Sequence, residues 1–461
     1  QAYRKNKKSY QHCLDCDYKA MEHVKESGEL YIYKCHFGLN EAIMPLYSYG
    51  VLTGYLMMGQ AVIGTYRNYS EIIEKSKEYF DDQEKLKKYI ENNGFFELSN
   101  KIAQGKYQFS FPQKHLINKV NKVKKRVIYT LEDEEMLQLK VINYLVLKEY
   151  DNIFCKNCYS FRKDYGVKQA IHNITSISNI NELCSYKIDI ENYFNSVKIN
   201  KLLPKLKEIF AKDELLYEMF ESLLKNKYVK YNEEVIEEEK GIMAGIPISS
   251  FLANVYLMEM DKFFEKENIV YARYSDDIIL FGKENQIQKY QNLLDMKIEE
   301  YELTINESKK EFTKPNEKWC FLGILYENGK IDLSPTTKKK IKGKIRRAAR
   351  KIRRWMLKKE VPEEKAIKVM NRKFNKKFYG IKQNDNTELT WARWFFPIIN
   401  TVDGLKEIDH YMQQYLRYII TGRHTKKNFN ISYNFLKECN YIPLVRAYYN
   451  REYINFNNNI N

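Results

Sequence analysis

Cysteine is scarce in this chain of 461 residues, and the scarcity excludes one class of protein. Eight cysteines are too few for disulfide bonds to stabilise a fold of this size, because domains that depend on disulfides are short and rich in cysteine. We therefore expect reduced thiols and a cytoplasmic location. Hydrophobic residues make up 44% of the chain, which is enough for two or three domains with cores of their own.

Long uncharged runs are also few, and one of them raises the question of a membrane. Residues 42–64 (AIMPLYSYGVLTGYLMMGQAVIG) carry no charge and are long enough to span a bilayer. However, Pro45 and several glycines divide the run into short apolar pieces. Such pieces predict buried strands joined by tight turns. We therefore expect no membrane span.

Acidic residues are outnumbered, and the formal net charge is +17. Residues 338–359 alone carry thirteen Lys or Arg and no acid, which favours a nucleic acid as partner. Within them, Ile341, Ile345, Ala348 and Ile352 recur at the spacing of an amphipathic helix with a basic outer face. We expect that face to bind phosphate groups without sequence preference. The cations expected to do so are Arg346, Arg347, Arg350, Lys351, Arg353 and Arg354.

The chain divides into five predicted segments and contains no internal repeat. Residues 1–65 contain cysteines and the glycine-interrupted run, and 66–100 read as a charged helical connector. Short apolar strands alternate with amphipathic helices over 101–330, and we expect an α+β fold. A basic helical segment follows at 331–385, and an aromatic-rich helical extension at 386–461.

Three acids form the strongest chemical signal. Asp276 and Asp277 stand between two apolar runs that predict a β-hairpin, although an Asp-Asp pair in a turn is usually only a turn. Asp189 lies inside another apolar run, where an unligated carboxylate is costly. Three such carboxylates on neighbouring strands can hold two Mg²⁺ about 3.5–4 Å apart. We include Ile190, next to Asp189, in the predicted Mg²⁺ site.

The order of these motifs resembles the palm of reverse transcriptases. It runs from Asp189 to GIMAGIPISSFLANVYL (241–257), YSDD (274–277), LTINESKK (303–310) and FLGILY (321–326). The resemblance covers about residues 101–380. It includes KKRVIYTLEDEEMLQLKVINYLVLKEYDNIF (124–154) and YSFR (159–162), which are similar to the bacterial lineage related to group II introns.

The resemblance implies a right-hand polymerase with fingers, palm and helical thumb that copies RNA into DNA from dNTPs. Asp189, Asp276 and Asp277 match its metal ligands, FLGILY its primer grip, and Lys309 the position proposed to protonate the departing pyrophosphate. Phe194 matches a gate whose ring excludes a 2′-hydroxyl. The full set expected at the nucleotide is Lys119 (or Lys122, Lys124 or Lys125), Arg126, Arg162, Phe194, Gly245, Ser249 and Asn254. Two alternatives stay open: Phe194 as a core residue, and Lys309 as a surface lysine.

One departure from the family concerns the template. Reverse transcriptases usually have Pro-Gln-Gly where this chain has Met243-Ala244-Gly245, and Ala244 offers no side-chain hydrogen bond. Bacterial abortive-infection and defence-associated reverse transcriptases depart similarly. The resemblance therefore favours anti-phage defence with a dedicated non-coding RNA or atypical templating. The alternatives are an intron-derived, maturase-like reverse transcriptase and a catalytically silent RNA-binding scaffold; residues 391–422 show no endonuclease signature.

The N-terminal segment carries a second resemblance. Cys13-x-x-Cys16 and residues 33–60 resemble part of the sensory domain of PocR, a relative of PAS folds, whose first strands we expect to precede Gln1. The resemblance implies a small-molecule or protein ligand, or an assembly surface for a homo-oligomer. Cys13, Cys16, Cys35 and His36 offer a Cys₃His zinc set. Structural thiols are the alternative, and we expect them for the Cys155–Cys158 pair.

Overall fold

The computed structural model describes residues 7–36, 40–48, 51–61, 108–118, 125–380 and 390–450. The predicted connector at 66–100 lies outside the described residues. Helices and mainly antiparallel sheets alternate along the chain, so the predicted α+β class is confirmed. Two compact units are present: residues 1–48, 52–150 and 194–256 form the first, and 49–51, 151–193 and 257–461 the second.

The first unit begins with a helix packed on a three-stranded antiparallel sheet. Ala20, Val24 and Ile43 form its small core. The described residues of the glycine-interrupted run, 42–48 and 51–61, lie in two of the strands, as predicted. No helix among the described residues is long and apolar enough to cross a membrane. The elements are α1 (Lys7–Ser27), β1 (Tyr31–Lys34), β2 (Asn40–Ser48) and β3 (Val51–Ala61).

A second sheet of the first unit has the strand order β5-β4-β7-β8. In the same unit, helix α6 (Glu214–Lys225) begins where the side chain of Asp213 accepts from the amide of Leu216 at 3.1 Å, the usual role of an N-cap aspartate. The elements are β4 (Gln113–Asn118), β5 (Lys125–Thr130), α2 (Asp133–Tyr150), α4 (Tyr193–Ser196), α5 (Ile199–Ile209), α6 (Glu214–Lys225), β7 (Tyr228–Tyr231) and β8 (Glu234–Glu237). Helix α7 (Ser249–Lys266) continues from the first unit into the second.

The second unit is built on a four-stranded antiparallel sheet of order β11-β6-β10-β9. A three-stranded sheet, β12-β13-β14, follows it in the chain. The elements of the two sheets and their helices are α3 (Val167–Thr175), β6 (Cys184–Asp189), β9 (Val270–Tyr274), β10 (Asp277–Gly282), α8 (Glu284–Glu300), β11 (Glu311–Thr313), β12 (Trp319–Phe321), β13 (Ile324–Glu327) and β14 (Lys330–Leu333).

Helices complete the second unit. The basic helix α9 starts at Pro335, where Ser334 caps it by accepting from the amide of Thr337 at 3.2 Å. Its predicted apolar face, including Ile341 and Ile352, is buried, so the predicted amphipathic helix is confirmed. The helical elements are α9 (Pro335–Lys358), α10 (Glu363–Tyr379), α11 (Trp391–Phe395), α12 (Asp403–Thr421), α13 (Tyr433–Glu438) and α14 (Leu444–Asn450).

The C-terminal helices share a core with the basic segment. A single cluster of buried apolar residues runs from Tyr159 through the sheet and α9 to Ala447. Polar contacts join the same parts: Asn371 and Asn375 on α10 donate to the carbonyls of Cys439 and Asn440 at 2.8 and 2.7 Å. The extension is therefore built into the basic helical segment, as packed helices.

Candidate active site

A tight β-hairpin carries the two adjacent acids. Strands β9 and β10 pair so that Tyr274 lies opposite Asp277, which leaves Ser275 and Asp276 as a two-residue turn. Ser275 has a φ of 61°, the positive value that the first residue of such a short turn needs. The predicted hairpin is confirmed, with Asp276 at its tip and Asp277 at the start of the returning strand.

Asp189 comes to the same place on the neighbouring strand. β6 pairs antiparallel with β10, and Asp189 lies directly opposite Asp277. The amide of Ile190 donates to the carbonyl of Asp276 at 3.0 Å. Because directly opposed residues in an antiparallel pair have Cβ atoms about 4.5–5.5 Å apart, the strand register by itself brings the acids together.

The pKa of Asp277 reflects the proximity of the three acids. Burial raises the pKa of Asp277, and the charges of Asp276 and Asp189 raise it further, to about 7. Lys309 and Lys187 lower the pKa but do not offset the increase. A carboxylate in this state would be stabilised in its ionised form by an additional nearby cation.

Two adjacent lysines near the acids have different partners. The Nζ of Lys309 lies 2.6 Å from Oδ2 of Asp189, on a short 3₁₀ turn whose start is fixed by the amide of Asn306 donating to the carbonyl of Asp189 at 2.8 Å. Lys310 instead pairs with Glu307 at 2.8 Å and Asp295 at 3.3 Å. Of the two lysines, Lys309 is therefore the one in contact with the acid cluster.

The FLGILY motif forms a second tight hairpin. Phe321 pairs with Ile324, so Leu322 and Gly323 are the turn, with φ values of 50° and 85°. Positive φ at both positions is the type I′ geometry that such hairpins prefer. A Cβ on Gly323 would lie 2.9 Å from Oγ1 of Thr337, so both the conformation and the space at this turn call for glycine.

A buried ion pair contacts the hairpin that carries Asp276. Arg273 on β9 and Asp261 on α7 are both almost fully buried, and Nε of Arg273 donates to Oδ1 of Asp261 at 2.7 Å. The hydroxyl of Tyr271 donates to the same carboxylate oxygen at 2.8 Å, and Nη1 of Arg273 reaches the carbonyl of Ser275 at 3.4 Å. Burial alone would lower the pKa of Arg273, and Asp261 more than offsets it. This pair was not among the predicted site residues; the signal for it in the sequence was an arginine inside an apolar strand.

The turn that replaces Pro-Gln-Gly lies in the first unit and has an unusual backbone. Met243 has a φ of 60° and Gly245 a φ of 111°. A Cβ on Gly245 would lie 2.6 Å from the carbonyl oxygen of Tyr129. The amide of Tyr129 donates to the carbonyl of Ala244 at 2.8 Å. The turn is therefore held against strand β5, and Gly245 is required by that close approach.

Asn195 forms hydrogen bonds that hold the same turn in place. It was not among the predicted site residues. Its Oδ1 accepts from the amide of Ala244 at 3.0 Å, and its Nδ2 donates to the carbonyl of Val127 on β5 at 3.2 Å. The carbonyl of the preceding residue, Phe194, accepts from the amide of Ile242 at 2.9 Å. The helix that carries Phe194 is thereby tied to the turn and to β5.

The predicted nucleotide-binding residues have different environments. Phe194 is half-buried on α4, and Arg126 is exposed on β5; their roles remain predictions. Lys119 lies outside the described residues. Ser249 and Asn254 are buried, and the hydroxyl of Ser249 donates to the carbonyl of Met243 at 2.8 Å. The hydroxyl of Ser249 therefore supports the turn, and the contacts of Ser249 and Asn254 with a nucleotide remain predictions.

Arg162 requires a correction. Its guanidinium is buried, donating from Nε and Nη2 to Asp151 at 2.8 and 3.0 Å, and from Nη1 to the carbonyls of Cys155 and Cys158 at 2.7 and 3.0 Å. A further Nη2 bond reaches the carbonyl of Asp151 at 3.2 Å. Because a guanidinium has five N–H groups, none is left for a triphosphate. Arg162 therefore stabilises the loop that contains Asp151, Cys155 and Cys158.

The cysteines do not assemble the predicted zinc site. Sγ of Cys16 lies 3.9 Å from Nδ1 of His36, but no group of three His, Cys, Asp or Glu in the described part of the chain could hold a metal ion as it stands. The Cys₃His zinc prediction for Cys13, Cys16, Cys35 and His36 is thus not supported. Cys155 and Cys158 are buried free thiols, as predicted.

Asp189, Asp276 and Asp277 likewise do not form a group that could hold a metal ion as it stands, among the residues that the structure describes. Their chemistry nevertheless fits a divalent ion. All three side chains are hard oxygen donors, which is the kind of ligand that Mg²⁺ takes. In addition, burial and the charges of Asp276 and Asp189 raise the pKa of Asp277, and a bound cation would favour its ionised form.

Of the cations predicted to bind phosphate, one is used internally. Arg353 donates from Nη1 to the carbonyls of Ile419 and Ile420 at 2.8 and 2.7 Å, which satisfies the C-terminal end of α12. We therefore correct its role to packing α9 against α12. The other five remain exposed: Arg346, Arg347, Arg350, Lys351 and Arg354.

Comparison with known proteins identifies two parts of the chain. Residues 117–326 match the family described as reverse transcriptase (RNA-dependent DNA polymerase). Residues 1–124 match the sensory domain found in PocR, a longer range than the predicted 1–65. The part of the chain that carries the acids on its antiparallel sheet is thus similar to a reverse-transcriptase domain of mixed helix and sheet. The chain combines this part with a segment that is similar to the PocR sensory domain.

Individual relatives are distant. The putative COX1/OXI3 intron 2 protein of Saccharomyces cerevisiae is 28% identical over 120 residues, which cover 26% of this chain and 14% of that protein. This match agrees with the predicted intron-related lineage. Telomerase from Candida albicans, solved with a fragment of telomeric RNA, has a TM-score of 0.42 and 13% identity, covering 84% of this chain and 80% of that one. Apo telomerase from Candida tropicalis has a TM-score of 0.41 and 13% identity, covering 49% and 55%. The chain spans about half the length of the latter and much less of the yeast protein.

Proposed function

We propose that this protein is an RNA-directed DNA polymerase, a nucleotidyltransferase whose two Mg²⁺ are held by Asp189, Asp276 and Asp277. One observation carries the proposal: the strand register that sets Asp189 opposite Asp277 beside the hairpin tip at Asp276. It occurs within a reverse-transcriptase domain. Clustered acids are costly for stability, since their charges repel and burial opposes ionisation, so a purely structural role does not account for them.

The residues have distinct roles in the proposed reaction. The three carboxylates, with the backbone carbonyl of Ile190, would hold the ions. Bound Mg²⁺ supplies activation of the primer 3′-hydroxyl and neutralisation of the triphosphate. Lys309 holds a proton on Nζ, 2.6 Å from Asp189, and is proposed to donate it to the departing pyrophosphate.

Further residues are proposed to bind the incoming nucleotide. Phe194 excludes a 2′-hydroxyl by its bulk, and Arg126 and Lys119 bind the triphosphate through charge-assisted hydrogen bonds. Gly245 has no side chain, so its backbone is proposed to approach the nucleotide closely. The proposed substrates are dNTPs and an RNA template, and the product is DNA.

The template is proposed to be a dedicated non-coding RNA, in a role in anti-phage defence. Two observations support this: Ala244 lacks the polar side chain that the family uses here, and the net charge of +17 favours a polyanionic partner. The PocR-type segment is proposed to bind a small-molecule or protein ligand that regulates synthesis, or to form a homo-oligomer. Sequencing the nucleic acid that copurifies with the protein tests the RNA. A single recurrent RNA supports the proposal, whereas the RNA of a host intron supports the maturase-like alternative.

Replacement of both hairpin acids tests the chemistry. Asp276→Ala with Asp277→Ala should lower Mg²⁺-dependent extension of a primed template by ~10³-fold or more, because the ions lose their ligands. Glu233→Gln with Glu234→Gln is a matched control, since these exposed adjacent acids lie where the β7–β8 hairpin turns. The control should retain activity. Full extension by the Asp276/Asp277 variant would refute the site, and absence of extension by wild type on every template, with RNA binding intact, would favour the silent scaffold.

A further inference from the structure

A row of aromatic rings lies along helix α12. Tyr411, Tyr415 and Tyr418 recur at the four- and three-residue spacing of one helix face, with ring centroids 4.8 and 5.6 Å apart. Gly422, with a φ of 72°, ends the helix, and the chain turns so that His424 stacks on Tyr418 at 4.9 Å and 10°. The exposed ring of His424 thus extends the tyrosine row.

Cations of α9 run beside this row. Lys342 lies 5.2 Å from the ring centroid of Tyr411, and the charges of Arg346 and Arg350 act on the hydroxyl of the same tyrosine. Among the described residues, the ion pairs of α9 join Lys338 and Lys342 to Glu407, and none involves Arg346 or Arg350. The surface therefore presents exposed guanidinium groups next to aromatic rings, and no acid in the described part of the chain forms an ion pair with them.

We propose that the surface formed by Arg346, Arg350, Tyr411, Tyr418 and His424 binds single-stranded nucleic acid. Guanidinium groups would contact successive phosphates, and the rings would stack on unpaired bases, a combination that binds single strands with little sequence preference. The charge favours a polyanion, and the rings favour one with exposed flat groups. A duplex offers phosphates but keeps its bases stacked inside. The C-terminal extension therefore contributes a binding surface of its own, in addition to supporting α9.

The test measures binding by the full chain without dNTPs or Mg²⁺. Two fluorescent probes are compared: a short oligouridylate, and the same strand with abasic residues in place of the bases. Wild type should prefer the strand with bases. His424→Ala should weaken binding of that strand by ~5-fold or more, from the loss of one stacked base, and leave the abasic strand unchanged, whereas His424→Tyr should restore the preference.

Paired arginine variants provide the second part of the test. Arg346→Gln with Arg350→Gln should weaken both strands and reduce the slope of log K against log salt by about 1.4, at ~0.7 for each phosphate contact of a single strand. Arg347→Gln with Lys351→Gln removes equal charge from exposed positions one residue further along α9 and should leave the preference for bases intact.

Defined results would overturn the proposal. They are equal wild-type affinity for the two probes, no loss in His424→Ala with a normal thermal unfolding curve, or loss of the base preference in the Arg347/Lys351 variant. The Asp276→Ala, Asp277→Ala variant should bind like wild type. This comparison distinguishes a wrong assignment of the single-strand-binding surface from a wrong assignment of the polymerase site.

Discussion

Removing one partner of the buried Arg273–Asp261 pair should destabilise the second unit strongly. Both side chains are almost fully buried, and Asp261→Leu would leave the guanidinium without its anion. Breaking a buried pair on one side costs about 3–5 kcal/mol. At about 2–4 °C per kcal/mol for a domain of this size, the melting temperature should fall by roughly 6–20 °C. Glu259→Leu is the control on the same helix, because its exposed pair with Lys262 is worth about 1 kcal/mol or less.

The double substitution Asp261→Leu with Arg273→Met separates stability from catalysis. Replacing both charges by apolar groups is often neutral or stabilising, so the melting temperature should recover much of the loss. The turn would still lose the contact from Arg273 to the carbonyl of Ser275, next to Asp276. We expect a lower rate of nucleotide addition, by up to about 10²-fold if the tip moves by about 1 Å. Circular dichroism on heating and single-turnover primer extension measure the two effects. Equal melting of Asp261→Leu and Glu259→Leu, or full activity of the double variant, would refute the reasoning.

Three further predictions concern the first unit. Phe194→Ala should raise incorporation of ribonucleotides relative to deoxyribonucleotides, measured by competition in single-nucleotide extension; an unchanged ratio with activity retained would return Phe194 to the core. Ala244→Gln should raise extension on an unrelated primed RNA without changing the Mg²⁺ dependence, and efficient copying of that RNA by wild type would show that the missing glutamine is irrelevant. Burial lowers the pKa of Lys240 to about 8, below the ordinary value of about 10.4. The folded state therefore binds fewer protons than the unfolded state between these values, and this residue's contribution to stability should rise with pH there. In urea unfolding measured over this pH range, Lys240→Met should reduce the increase in the free energy of unfolding with pH. The same increase in variant and wild type would contradict the lowered pKa of Lys240.

The features that local sequence determines were predictable. Acids between two apolar runs predicted the hairpin at Asp276 and Asp277, because strand period and turn length are local properties. The spacing of apolar residues likewise predicted the buried face of α9. The pairing of Asp189 with Asp277 depends on strand order, which the residues alone did not give; there the family resemblance was needed.

Partners distant in sequence were not predictable. Arg353 was counted as a free cation because periodicity shows that a residue is polar, but not which carbonyls lie near it in the fold. Arg162 was assigned to the nucleotide by resemblance, which likewise does not show the carbonyls around it. Asn195 was overlooked for the same reason, since its partner Ala244 is 49 residues away. Met243 illustrates a limit of the resemblance itself. Its φ of 60° is inaccessible to the proline that the family usually has at this position, so the turn differs in backbone as well as in side chains.

The shared core of α9, α10 and the C-terminal helices has a consequence for biosynthesis. Asn371 and Asn375 find their acceptors at Cys439 and Asn440, and the buried cluster extends to Ala447. A nascent chain that has just emerged through α10 therefore lacks the helices that cover its apolar face. At about 5–20 residues per second, translation of the next roughly 70 residues takes ~4–14 s. Helix α9 thus completes its packing only after the C-terminal helices have been synthesised.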